Sequence, residues 1–317
     1  MFAGHALLAF ALVASVAARS GRSRERALAL GAVAAAYAAL PDVDMSYALV
    51  GVVGAAGGDA LAIASSFWAA GNLVHRGITH SLVVAPFVAL AAFLVVRGRR
   101  GGSTADRVAA AALVLSLIAI AAAASGPLGG AVMALFGVGA VVVAEVVARR
   151  THVRPTAVAG AALFGLASHP FGDLLTGEPP AMLYPIDAAL FVERVALASD
   201  PTVHLLGAFA VELATIWAAV VVYCRLADRP IRPAVNPRAA LGLGYAASVL
   251  LIPTPTLDLS YPFVFSVLAV GAIGVVPRVR PFRGPTLEIP EAPSAALTGL
   301  AAVTLAGLAY AAAYLVA

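Results

Sequence analysis

The 317-residue chain is 62% hydrophobic and only 11% charged, with a mean hydropathy of +0.97, whereas a typical soluble domain is about 25% charged. These values exclude an ordinary water-soluble domain and imply a polytopic membrane protein, helical because its apolar runs are continuous rather than alternating. The net charge of +4 comes from twenty arginines and no lysine; in a membrane protein these belong to cytoplasmic loops, so no nucleic-acid partner is expected. The single cysteine, Cys224, excludes an internal disulfide framework and a thiolate metal cluster.

Taken in order, the first apolar run, Phe2 to Ala18, has no positive charge before it and four arginines after it, Arg19, Arg22, Arg24 and Arg26. That polarity predicts a retained helix with its N-terminus outside the cell, not a cleaved signal peptide. The run Ala27 to Leu40 is short and stops at Leu40-Pro41-Asp42-Val43-Asp44, because proline disfavours helical geometry in the residue before it. An extended stretch there would point Asp42 and Asp44 the same way. Tyr47 to Ala70 is interrupted by Gly57-Gly58-Asp59 and predicts a re-entrant or interfacial pair of short helices. It leads to His75-Arg76-Gly77-Ile78-Thr79-His80-Ser81, a heptad holding two of the six histidines. Thr79 and Ser81 sit where the next helix, Ser81 to Val96, needs an N-cap.

Val108 to Ala124 and Ala131 to Ala148 predict a hairpin about Ser125-Gly126-Pro127. A second short run, Thr156 to Ser168, climbs to His169-Pro170-Phe171-Gly172-Asp173, where a helix begun by Pro170 would set His169 and Asp173 on one face at i, i+4 spacing. The connection from Leu174 to Asp200 is the longest and carries a predicted surface helix from near Asp187 that could cover a site. Val203 to Tyr223, Ala239 to Ile252, Phe263 to Val276 and Ser294 to Val316 complete the count. The expectation is an all-α fold of about ten membrane segments, some short or re-entrant: a membrane-embedded domain over 1–200 and additional C-terminal helices over 201–317.

Eighteen of the twenty arginines fall in turns on one side of this arrangement, leaving Arg76 and Arg194 opposite. The positive-inside rule makes the arginine side cytoplasmic. His5, Asp42, Asp44, His75, His80, His169 and Asp173 then converge on the extracytoplasmic side of a cell membrane. Ionisable residues at the membrane edge are costly and mark functional sites or buried pairs. Imidazole with carboxylate and no thiolate is the donor chemistry of a divalent ion, zinc first and manganese or iron next. The predicted ligands are His5, Asp42, His75, His80, His169 and Asp173. Asp44 is the candidate general base or orienter of a histidine, and Arg76 either stabilises developing negative charge or neutralises a carboxylate. The helices ending at Asp42 and His169 have 14 and 13 apolar residues, about six short of a span, so the site would be recessed below the outer surface, within reach of lipid head groups.

At His5, Leu40-Pro41-Asp42-Val43-Asp44, the HRGITHS heptad, and His169 with Asp173, Thr176 and Gly177, the sequence resembles the YdjM-like membrane-bound, metal-dependent hydrolases, also labelled LexA-binding inner-membrane-associated hydrolases. The resemblance covers roughly residues 1 to 190 and implies a divalent metal and hydrolase activity. The order His, Asp, His, His-x3-Asp is also similar to the first part of the zinc-dependent phospholipase C pattern, whose later ligands this chain lacks. The expectation is a hydrolase acting on a phosphoester of a lipid or lipid-linked substrate at the bilayer. The alternatives are a metal-binding structural or regulatory membrane protein without turnover, or a cation transporter.

Overall fold

A computed structural model describes residues 2–72, 76–231, 234–280 and 286–316. The chain divides into two compact units, Met1–Arg194 and Val195–Ala317.

In the first unit, α1 (Phe2–Arg19) and α2 (Arg24–Ala39) form an antiparallel pair. The α2 helix starts at Ser23, whose hydroxyl accepts from the Arg26 amide at 3.4 Å, and ends where Pro41 opens a 3-10 helix over Pro41–Tyr47. Asp42 and Asp44 therefore lie on a tight helical turn, not on an extended segment. At three residues per turn they leave it in different directions. Two short helices follow, α3 (Ala48–Gly54) and α4 (Ala60–Asn72), joined through Gly57 at φ +100°. A Cβ on Gly51 would collide with the Ser66 backbone, so the pair packs face to face.

Ser81, not Thr79, closes the turn that leads into the next helix: its hydroxyl accepts from the amides of Val83 and Val84 at 3.1 Å. Helix α5 (Ala85–Gly101) stops at Gly102, which takes the left-handed conformation, φ +69°, that favours glycine at this position. Helix α6 (Thr104–Arg150) breaks at Ser125 and Gly126. Its arms, 104–124 and 127–150, lie side by side, since a Cβ on Gly130 would meet Ala122 and one on Gly137 would meet Val114. Helix α7 (Pro155–Asp173) runs unbroken through Pro170, which sits in its last turn instead of starting a new helix. Residues 187–200 form no helix. Leu190, Phe191 and Val192 there are exposed, and a short helix without a packing face is marginal.

Packing inside this unit positions the site. Gly165 of α7 lies against the Ala34 carbonyl and the Ala38 amide of α2, too close for any side chain. Tyr37 is fully buried and donates its hydroxyl to the Ala140 carbonyl at 2.8 Å, joining α2 to α6.

In the second unit, α8 (Pro201–Leu226), a 3-10 helix over Pro237–Leu250, α9 (Tyr261–Ala269) with a 3-10 extension over Val270–Gly274, and α10 (Ala292–Val316) share a core that includes Leu205, Phe263, Val267, Val303 and Tyr310. A small antiparallel hairpin, β1 (Arg278–Arg280) and β2 (Thr286–Glu288), pairs Val279 with Leu287. The protein is otherwise helical among the described residues.

By length and composition three described helices can cross a membrane, α6, α8 and α10, or four if α2 with Pro41–Gly54, bent by 40°, counts as one span. The expected ten segments are thus too many. Prolines, glycines and site residues divide the apolar runs of the first unit, whose helices other than α6 have 7 to 19 residues, while a bilayer core needs about 20.

Candidate metal centre

Four helices of the first unit carry the site at one end and arginine at the other. The α1 helix runs from His5 to Arg19, α2 from Arg24 toward Asp42, α5 from just after His80 to Arg97, Arg99 and Arg100, and α7 from Arg154 to His169 and Asp173. Their mutual packing collects His5, Asp42, Asp44, His80, His169 and Asp173 at one end. Five of the six are 0–5% exposed. Asp42 is the partial exception, its side chain 15% exposed. His75 lies outside the described residues.

Two hydrogen bonds set where the imidazole protons sit. The Nδ1 of His169 is 2.6 Å from the Ala38 carbonyl, which can only accept, so Nδ1 carries a proton and, in the neutral ring, Nε2 a lone pair. On the other side, the Thr79 hydroxyl donates to Asp44 Oδ2 at 2.8 Å and lies 2.9 Å from His80 Nδ1. With its one proton given to Asp44, the hydroxyl accepts from Nδ1, and His80 also presents a lone pair at Nε2. Burial pushes the His80 imidazole down to about 4, which favours this neutral form.

These lone pairs point at each other. His80 Nε2 is 3.0 Å from His169 Nε2 and 3.0 Å from Asp173 Oδ2. His169 Nε2 is 3.6 Å from Asp173 Oδ2 and 3.5 Å from Asp42 Oδ1. Asp173 Oδ2 is buried and has no hydrogen-bond partner among the described residues, as expected if His80 Nε2 bears no proton. Electron-rich atoms packed this closely repel one another unless a proton or a metal cation lies between them. Asp42, His80 and His169 form a three-donor group within 4.8 Å, with Asp173 against both histidines, and this donor set fits a divalent ion.

His5 stands differently. Its Nε2 donates to the other carboxylate oxygen, Asp173 Oδ1, at 3.0 Å, and its ring lies 4.1 Å from that of His169. It orients Asp173 in this geometry, while His5, His169 and Asp173 also form a second three-donor group within 4.8 Å. Gly172 makes the approach possible, because a Cβ there would overlap the His5 ring. Asp44 sits behind His80, on the side away from the shared centre, 3.6 Å from Nδ1.

Arg76 adopts a left-handed backbone, φ +68°. Its Nη1 donates to the Glu178 carbonyl at 2.9 Å, its Nη2 reaches Thr176 Oγ1 at 3.5 Å, and its Nε is 3.9 Å from Asp173 Oδ2. Gly177 leaves room for the guanidinium, which a Cβ would enter. Backbone bonds from Ala181 to the Arg76 carbonyl and from Leu82 to the Met182 carbonyl, with Ser81 Oγ donating to the Tyr184 carbonyl at 2.6 Å, tie 176–184 to the heptad. Sequence reasoning missed Thr79, Gly165, Gly172 and Ala38; of these only Thr79, inside the heptad, carried a signal, and it read as a cap.

A family model described as YdjM inner membrane protein matches residues 1–254, reaching well past the motifs. No curated protein and no solved structure matches the chain.

Proposed function

The chain belongs to the YdjM inner membrane protein family, and from that premise we propose an integral-membrane, metal-dependent hydrolase, acting on a phosphoester of a lipid or lipid-linked substrate. The observation that carries the reading is the cluster of His80, His169, Asp173 and Asp42, whose nitrogen and oxygen atoms approach to 3.0–3.6 Å among largely buried side chains. Zinc suits two imidazoles and two carboxylates, with manganese or iron as lesser fits. When bound, such an ion supplies Lewis acidity and lowers the pKa of coordinated water toward about 7.

The residues divide the remaining work. His5 holds Asp173 by its outer oxygen, and Asp44 keeps His80 in the ligating tautomer. Asp42, the most exposed of the four donors, marks the edge at which a substrate enters. Arg76 offers its Nε, which has no hydrogen-bond partner among the described residues, to an anionic oxygen of the substrate. The arginine distribution supports an extracytoplasmic position for this pole, next to lipid head groups.

Near-complete burial of His80, His169 and Asp173 also favours a second reading, a metal-stabilised membrane protein without turnover. Hydrolysis of phospholipid and lipid-linked phosphoester substrates by the purified protein in nanodiscs separates the two. Release that requires added zinc and disappears in Asp173→Asn supports the hydrolase. A zinc-loaded protein inert to the whole panel supports the structural reading.

A further inference from the structure

Thr79 precedes His80 in a 3-10 turn over Ile78–His80 and is 4% exposed. Its hydroxyl makes no helix cap, and Ser81 closes the turn into the next helix. It bridges Asp44 Oδ2 at 2.8 Å and His80 Nδ1 at 2.9 Å, whereas Asp44 and His80 are themselves 3.6 Å apart, beyond direct hydrogen bonding. We propose that Thr79 is a positioning residue for the metal centre: its hydroxyl relays the charge of Asp44 to His80, holding the proton on Nδ1 and the lone pair on Nε2 toward the ion. The inference rests on the metal reading given above.

Direction follows from valence. A carboxylate accepts only, so the single hydroxyl proton goes to Asp44 and the oxygen lone pair is left for Nδ1–H. Removing the hydroxyl takes away the acceptor that Thr79 offers Nδ1 across the 3.6 Å gap to Asp44, and the tautomer with the proton on Nε2 gains ground. That tautomer cannot ligate. Outer-shell partners of this kind commonly alter metal affinity 10- to 100-fold. Valine keeps the branched shape of threonine and removes the oxygen, while serine keeps the oxygen and removes the methyl group, so the two variants separate relay from packing.

The test is zinc affinity of the purified full-length protein in detergent, by competition with a chromophoric chelator, together with 15N chemical shifts of the His80 imidazole in the metal-free protein. The relay predicts that Thr79→Val weakens zinc binding about 10- to 100-fold and shifts the His80 proton toward Nε2. It predicts that Thr79→Ser restores both. Asp44→Asn, which keeps the side-chain shape, should weaken zinc binding in the same direction if Thr79→Val does not fold. Wild-type affinity in Thr79→Val or in Asp44→Asn overturns the proposal, as does a Thr79→Ser variant as weak as Thr79→Val. A wild-type protein that binds no zinc overturns the metal reading itself, which is a different result from a wild type that binds and a valine variant that binds equally.

Discussion

The two ends of the first unit use charge in opposite ways. At the arginine end, Arg97 pairs with Asp106 and Glu145 is shared by Arg99 and Arg149, with the arginine side chains 42–58% exposed. Arg100 there donates to the carbonyls of Val147, Thr151 and Val153, closing the end of α6. These paired charges are exposed, so solvent screening leaves them little energetic weight. At the opposite end the histidine and aspartate side chains, Asp42 apart, are at most 3% exposed, and they crowd against one another instead of against water. One end pairs its charges in the open, and the other gathers its ionisable side chains out of water. Polar residues at a membrane edge thus need sorting by burial, not by number.

The sharpest break of this comparison is removal of a donor at the buried end. His169→Ala should reduce zinc affinity by more than the roughly 100-fold seen for outer-shell changes, measured by chelator competition, and His80→Ala should do the same. A smaller loss is expected from Gly172→Ala, whose methyl group must displace the His5 ring; overpacking of this kind costs about 1–3 kcal/mol and should appear as a lower thermal midpoint of the metal-free protein. Gly165→Ala should cost a similar amount by separating α2 from α7, and should weaken zinc binding because the Ala38 carbonyl leaves His169 Nδ1. The smallest effect belongs to the arginine end: Arg149→Ala removes an exposed i, i+4 pair worth about 0.5 kcal/mol or less and should leave zinc affinity unchanged. Equal effects at the two ends would remove the distinction.

The residues that gather at one end of the first unit were more legible in the sequence than the helix lengths. His5, Asp42, His80, His169 and Asp173 stood out because ionisable residues are rare in an apolar chain, and the i, i+4 spacing of His169 and Asp173 survives in the last turn of α7. The supporting groups did not stand out. Ala38 acts through a backbone carbonyl, and Gly165 and Gly172 act by lacking a side chain, so none has a chemical signature. The span count erred because apolar runs of alanine, glycine and valine mark membrane affinity without marking helix length. Pro41 turned α2 into a 3-10 helix where an extended segment was expected, which separated the roles of Asp42 and Asp44.

Metal content decides the central claim. Protein purified after zinc loading and extensive dialysis would be analysed by elemental mass spectrometry as wild type, as His169→Ala, and as His152→Ala, a substitution of an exposed histidine in the turn between α6 and α7. The account predicts zinc retained by wild type and by His152→Ala and lost from His169→Ala. Wild type without bound zinc, or His169→Ala retaining as much as wild type, would contradict it.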